Sequence, residues 1–382
     1  MTQQMRPSLD DPRVAIPAES TWYEPAPIPQ TERQAEFLTL REGEMFVNMG
    51  PQHPSTHGVL RVIIKVNGEK VVDLDPVLGY LHRGVEKLCE NADYHQAICY
   101  TDPLEYVSSL FCEAAPVAAF EKLMDVDVPR RAQYIRVLTV ELNRIASHTL
   151  FQGWMALDLG GITPILWAFI ERDEIVDMLA ALTGQKLLYN YYRIGGVNGD
   201  LNHEFMSRLG TWMSRAAAQI DSNLALINEN EIFVRRTRGL GVLDAKTALK
   251  MGVTGPNLRA SGVPFDLRRD RPYLIYPELE FDVPTRDEGD SLARYLVRMD
   301  RSSSRFASLT RYFTRCPTAQ SWRSCRAFCA RDQVALSAPS KGHVASMAPT
   351  PLVTAPISHS ACAFTTHHLC TCSSLGHSPR GI

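Results

Sequence analysis

The first 300 residues hold only three cysteines, Cys89, Cys99 and Cys112, and no C-x-x-C pair. That excludes an obvious iron–sulfur or nickel site there. Neither G-x-G-x-x-G nor G-x-x-x-x-G-K-[ST] occurs, so the two common glycine-rich routes to a bound nucleotide are missing. Residues 1–36 are polar and rich in Pro and Gln, with no apolar core of the kind a secretory signal needs. With few cysteines in the body, a reducing cytoplasmic setting is the default. The run from Thr149 to Ile170 is long enough to span a bilayer. It carries Asp158, Gly160-Gly161 and Pro164, and reads as a buried core segment.

Acid is the other scarcity, and it is local. Residues 1–300 carry 31 Lys and Arg against 41 Asp and Glu, a balance of −10; residues 301–382 carry 9 against one, Asp332, a balance of +8. The net −2 hides this split and points to no nucleic-acid role. The last 82 residues also hold six of the nine cysteines and 22 Ser and Thr, and their helical periodicity is lost. Two readings fit: a natural low-complexity extension, or out-of-frame translation of GC-rich coding sequence, which is preferred.

What is present has clear organisation. Residues 1–38 read as a flexible arm, 39–299 as one domain, and 300–382 as an aberrant tail of low order. From Met45 to Leu74 the pattern alternates, with Asn67-Gly68 between two apolar runs as a hairpin signal. Beyond it, Ile135, Leu138, Leu142 and Ile145 mark a helix beginning near Pro129. Thr163-Pro164 reads as the N-cap and first position of the next helix, and Gly184 as its stop. Phe205, Leu209, Trp212, Ala216, Ile220 and Leu224 form the stripe of a third helix. Residues 239–285 read as ordered loops, and a further helix is expected near Asp287. The fold class is α+β, mainly α: a small antiparallel sheet followed by a helical bundle.

The richest segment is Gly50-Pro-Gln-His-Pro-Ser-Thr-His-Gly58. His53 and His57 have the i, i+4 spacing of a helical zinc pair, but Pro54 disfavours helix and no Glu lies between them. Turn histidines that cap backbone groups, and a proton donor to a bound ligand, both remain open. Asp158 stands in apolar surroundings, where a carboxylate needs a partner such as histidine; an N-cap or turn aspartate is the plain alternative. Tyr100, Asp102, Tyr106 and Ser108 crowd one segment. There a phenol can donate to a carbonyl oxygen, or Tyr106 is a half-buried tyrosine on a helix face. Glu141, Arg144 and His148 share one helix at spacings of three and four; they fit a surface ladder or a buried polar network, and the surface ladder is preferred. Cys325-x-x-x-Cys329 and Cys370-x-Cys372 lie in the suspect tail and are not taken as a metal site.

Seven motifs in one order carry a family resemblance: Gly50 to Arg61, Gly79-Tyr-Leu-His-Arg-Gly-Val-Glu-Lys87, Tyr106-Val-Ser108, Glu141-Leu-Asn-Arg-Ile-Ala-Ser-His148, Ala156-Leu-Asp-Leu-Gly160, Arg193-Ile-Gly-Gly196 and Leu258-Arg-Ala-Ser-Gly262. Over about residues 40–299 the chain resembles the 49 kDa-type D subunit of the proton-pumping NADH–quinone oxidoreductase, respiratory complex I. That family is related to nickel–iron hydrogenase large subunits.

The resemblance implies a peripheral subunit on the cytoplasmic side of the inner (cell) membrane, inactive alone. Its partners would be the subunit carrying the terminal iron–sulfur cluster, a C-type subunit and the membrane subunit at the quinone entrance. The substrate would be quinone, with no cofactor bound by this chain. It implies His57, Tyr106 and Asp158 as the reacting set, with His57, Tyr106, Ser108 and His53 around the quinone head group and Asp158 behind His57. A scaffold without chemistry, or an inactive truncated product, is the alternative. Past Met299 the family's Gly-Glu-Leu-Gly, Ser-Asp-Gly-Thr and Pro-Tyr-Arg are absent. Codons for Val353-Thr-Ala-Pro356 read one base earlier can give x-Asp-Gly-Thr, as a frame change near residue 300 would produce.

Overall fold

The β-pattern of residues 44–77 becomes a three-stranded antiparallel sheet in the computed structural model, which describes residues 37–56 and 58–300. Strands β1 (Glu44–Met49), β2 (Arg61–Asn67) and β3 (Lys70–Val77) lie in sequence order. The β2–β3 register pairs Asn67 with Lys70, so the central turn pair is Gly68-Glu69, one residue later than the Asn-Gly signal suggests. Gly68 takes φ 59°, the left-handed value that the first central position of a tight hairpin turn demands. The 50–60 loop lies at the opposite end of the sheet from this turn. Lys65, buried, reaches Glu44 at 3.1 Å, and Phe37 packs on Phe46 at 5.4 Å between ring centroids.

Helices follow. The first are α1 (Val85–Glu90) and α2 (Tyr94–Thr101), the latter opened by a capping box between Asp93 and Gln96. After a 3-10 turn, Asp102–Leu104, come α3 (Ser109–Met124), α4 (Arg130–Asp158) and α5 (Ile162–Thr183). Two-residue strands β4 (Tyr192–Arg193) and β5 (Gly196–Val197) precede α6 (His203–Asn228). Short helices α7 (Glu231–Thr237), α8 (Ala245–Lys250), α9 (Gly255–Ala260) and α10 (Leu267–Asp270) follow, and residues 291–300 are helical. Gly184 ends α5 at φ 82°, as expected. Helix α5 begins at Ile162 rather than Pro164. Gly161 is the N-cap, and Pro164 sits within the first turn, where its missing N–H costs nothing.

One apolar core joins α2 to α6, with Ile135, Leu138, Leu142 and Ile145 of α4 and Phe205, Leu209, Trp212, Ala216, Ile220 and Leu224 of α6 buried in it. Each large side chain so buried contributes roughly 1.5–3 kcal/mol. Helices α4 and α5 meet closely at Gly153, where an added Cβ would come 2.8 Å from the Ala168 Cβ. Among the described residues no helix is long and apolar enough to cross a membrane. The run from Thr149 to Ile170 is the α4–α5 junction instead.

Glu141, Arg144 and His148 do not form a surface ladder. All three are buried; Arg144 Nε lies 3.3 Å from Glu141 Oε1, and the Tyr276 hydroxyl donates to the same oxygen at 2.6 Å. The segment around α10 covers them, with Arg268 on Asp266, so helical spacing alone could not reveal their burial. A second buried pair, Arg136 and Glu121, is bidentate at 2.6 and 2.9 Å; Arg136 also donates to the carbonyls of Arg193 and Gly196. The N-terminal arm, apart from Phe37 and Leu38, and the 301–382 tail lie outside the described residues.

Candidate functional site

The loop after β1 is shaped by Gly50 at φ 91°, where a Cβ would lie 1.9 Å from the Leu60 carbonyl oxygen, so only glycine fits. A 3-10 turn, Pro54–Thr56, follows. Thr56 is buried, and its N–H and hydroxyl both donate to the His53 carbonyl, at 3.1 and 2.9 Å. His53 Nδ1 accepts from the Ser55 N–H at 3.2 Å. The exposed imidazole therefore carries its proton on Nε2 when neutral and presents a donor outward. The backbone-capping reading holds for His53. His57 lies outside the described residues.

Tyr106 and Ser108 share one corner between the 3-10 turn and α3. Tyr106 lies in a turn, not on a helix face, and is 48% exposed. Burial of its ring edge and the Glu105 carboxylate raise its pKa, against Arg172 of α5, so the phenol keeps its proton. Tyr100 and Leu104, just before it in the chain, are exposed, as are Leu187 and Leu188. Leu187 is tied to the corner through its carbonyl, which accepts from Ser109 Oγ at 2.9 Å. Asn143 of α4 fixes the corner from below, donating to the Val107 carbonyl at 3.3 Å.

Ser108 is the N-cap of α3, yet its hydroxyl makes no capping bond. Its Oγ is buried and without a hydrogen-bond partner among the described residues. An N-cap serine normally accepts an N–H of the first turn. Here the hydroxyl is left available.

Asp158 is the last residue of α4, fifteen positions beyond Asn143 and so about 22 Å further along the helix axis. It is exposed at the helix end rather than sealed in apolar surroundings. Its helix C-terminus is the negative end of the dipole, where an acid is disfavoured unless a cation answers it. Arg236 supports the turn, donating to the Leu159 carbonyl at 3.2 Å. The structure thus unites Tyr106 with Ser108 and places His53 and Asp158 on two other elements.

Three acids lie beneath the corner; of these only Asp102 stood out in the sequence, by crowding with Tyr100, Tyr106 and Ser108. Asp102, Glu105 and Glu113 are all buried. Burial lifts the Glu105 carboxyl to about 7, although the Val107 N–H donates to it at 3.2 Å. Burial also raises Asp102 and Glu113, which are in contact with each other; Glu113, raised further by the Asp102 charge, is the member that holds the proton. Cys112, beside all three, is pushed up to about 12 by burial and their charges. One hint was available: Glu113 interrupts the apolar run Leu110 to Phe120. Among the described residues no group of three or more His, Cys, Asp and Glu side chains is arranged to hold a metal ion.

Comparison with known proteins agrees with this arrangement of motifs. The family described as "Respiratory-chain NADH dehydrogenase, 49 Kd subunit" matches residues 158–320, beyond the last motif read from the sequence. The D subunit (form 1) of NADH-quinone oxidoreductase from Chloroherpeton thalassium is 46% identical over 258 residues, 68% of this chain and 59% of the relative. The D subunit from Chlorobium luteolum is 48% identical over 260 residues, 67% of this chain and 66% of the relative. The D subunit from Clostridium beijerinckii is 47% identical over 261 residues, 68% of this chain and 70% of the relative. The chain spans about three fifths to two thirds of the length of the first two relatives. On the strength of these matches, the chain belongs to the 49 kDa subunit family of respiratory-chain NADH dehydrogenases, the D subunits of NADH-quinone oxidoreductase.

Proposed function

We propose that this chain forms part of a quinone head-group site in an NADH–quinone oxidoreductase and handles protons there. The observation that carries the reading is Tyr106: a half-exposed phenol, held protonated, on a corner pinned to α4, in segments that also expose Leu104 and Leu187. A quinone ring is apolar with two carbonyl oxygens, so it needs apolar contact and a few aimed donors. The Tyr106 O–H donates to one oxygen, and the available Ser108 hydroxyl lies in the same corner. Donors fixed before reaction stabilise charge as it develops on those oxygens.

His57 serves as the donor to the other oxygen, with Asp158 favouring its protonated form. His53 Nε2–H adds a donor at the rim of the loop. The neighbouring subunit's iron–sulfur cluster supplies the electrons. This chain's residues bind, orient and protonate. The partners are then the cluster-bearing subunit and a membrane subunit at the quinone entrance, with the chain seated peripherally at the membrane surface. Turnover in this reading feeds proton translocation by the whole complex.

Substitution in the assembled complex tests the reading. Tyr106→Phe keeps the ring and removes one donor, and should lower quinone reduction by about a hundredfold. Assembly on native gels should be unchanged. An assembled Tyr106→Phe complex with full turnover would show that the chain only holds its neighbours.

A further inference from the structure

Beneath Tyr106 lies a second set of groups that the quinone-site reading leaves unused. Glu113 Oε2 accepts from the Tyr191 and Tyr192 amides at 2.7 and 2.9 Å, and Asp102 Oδ2 accepts from the Asn190 amide at 3.1 Å. Their other oxygens, Glu113 Oε1 and Asp102 Oδ1, are buried without a hydrogen-bond partner among the described residues, and each carboxyl group acts on the other's charge. Two carboxylates at 0% and 2% exposure cannot touch unless a proton lies between them. No cation is bonded to either among the described residues; Arg193 of β4 acts weakly on Asp102. Tyr189 and Tyr192 face Glu113 from the strand segment, and Cys112 of α3 is flanked both by the pair and by Glu105 of the corner.

Two further observations place polar atoms at the same corner. Ser108 Oγ and Asn143 Oδ1 are fully buried and unpartnered among the described residues, and Asn143 is bonded to Val107, next to both Tyr106 and Ser108. Buried oxygens without protein partners are where internal waters sit. Buried acids and orphan oxygens therefore gather beneath the corner that carries Tyr106, on either side of Cys112.

We infer that Asp102 and Glu113 hold one proton in common and, through Glu105, return it to Tyr106 after the phenol has protonated a bound quinone. The inference rests on the quinone-site reading. The bookkeeping is simple. Tyr106 O–H breaks and a new O–H forms on a quinone oxygen that has received electrons from the neighbouring cluster. The Glu105 acid passes its proton to the phenolate. The Asp102–Glu113 pair passes its proton to Glu105, and water refills the pair. Asp102, Glu105 and Glu113 are positioning residues, acting through Tyr106.

The test uses the assembled complex and Glu113→Gln. The glutamine keeps an oxygen for the Tyr191 and Tyr192 amides, and its amide can donate to Asp102, but it carries no labile proton. Infrared spectra at neutral pH should show a protonated carboxyl band in the wild type that Glu113→Gln loses. Quinone turnover should fall about tenfold at alkaline pH. The deficit should shrink as pH drops and bulk protons substitute, with KM for quinone unchanged. Asp102→Asn should reproduce the turnover change while keeping the carboxyl band of Glu113. An unaltered carboxyl band, or a wild-type pH profile in Glu113→Gln while Tyr106→Phe loses activity, overturns the inference alone. Full turnover in Tyr106→Phe overturns the quinone-site reading and this inference together.

Discussion

Glu113 and Asp102, eleven residues apart and on different elements, are buried carboxyl groups that together take three consecutive backbone amides, those of residues 190–192. These bonds tie α3 and the turn before it to the strand segment.

Stability should depend on pH in an unusual direction. Asp102, Glu105 and Glu113 all have folded pKa values raised above their unfolded ones. Their contribution is fully present below the unfolded carboxyl range and is lost as pH rises through the folded values, which for Glu105 is about 7. Thermal melts from pH 5 to 8 should show the midpoint falling. Glu105→Gln, which keeps an acceptor for the Val107 amide, should flatten that slope by an amount worth a few kcal/mol at most. A slope identical in the variant refutes the assignment.

Arg136 and Glu121 form a buried ion pair at 2.6 Å whose guanidinium also serves two backbone carbonyls. Glu121→Ala leaves a buried, uncompensated charge and should cost about 3–5 kcal/mol in chemical denaturation. Arg136→Met combined with Glu121→Leu should recover much of that loss. A double variant no better than the worse single one would mean the carbonyl bonds, not the charge pair, dominate.

Gly153 marks the closest approach of α4 and α5. A Cβ there would meet the Ile165 Cα at 2.9 Å as well as the Ala168 methyl, and neither belongs to a flexible side-chain end. Gly153→Ala should destabilise by about 1–3 kcal/mol despite alanine's better helix propensity. Unfolding midpoints decide it: a more stable alanine variant would show that the helices can part.

Asp158→Asn separates orientation from charge at the end of α4. With the carboxylate gone, a protonated imidazole is less favoured, so the upper pH limb of quinone turnover should move to lower pH. Rates measured across pH on assembled complex check this. An unmoved limb would remove Asp158 from the proton-handling set.

The sheet, α4, the end of α5 and α6 were legible because their signals are local: alternation, three-four spacing and a glycine at a left-handed position. The start of α5 was misread because proline fits equally well two residues deeper in a first turn. Burial of Glu141, Arg144 and His148 was hidden because the cover comes from residues 266–281, more than a hundred positions away. At the site, Tyr106 and Ser108 stood out by crowding. Asp102 and Glu113 gain their meaning only when residues 190–192 fold over them, and no spacing rule joins segments that far apart.

Tyr191, Tyr192 and Gly195 spend their backbone N–H groups on the carboxylates of Glu113 and Glu121, not on a sheet ladder. Two strands of two residues would ordinarily fray, and their amide protons would swap with solvent within seconds. Anchored to acids sealed inside the bundle, these three exchange with deuterium only when α3 and α4 come apart, so the segment least like regular structure reports the opening of the whole core.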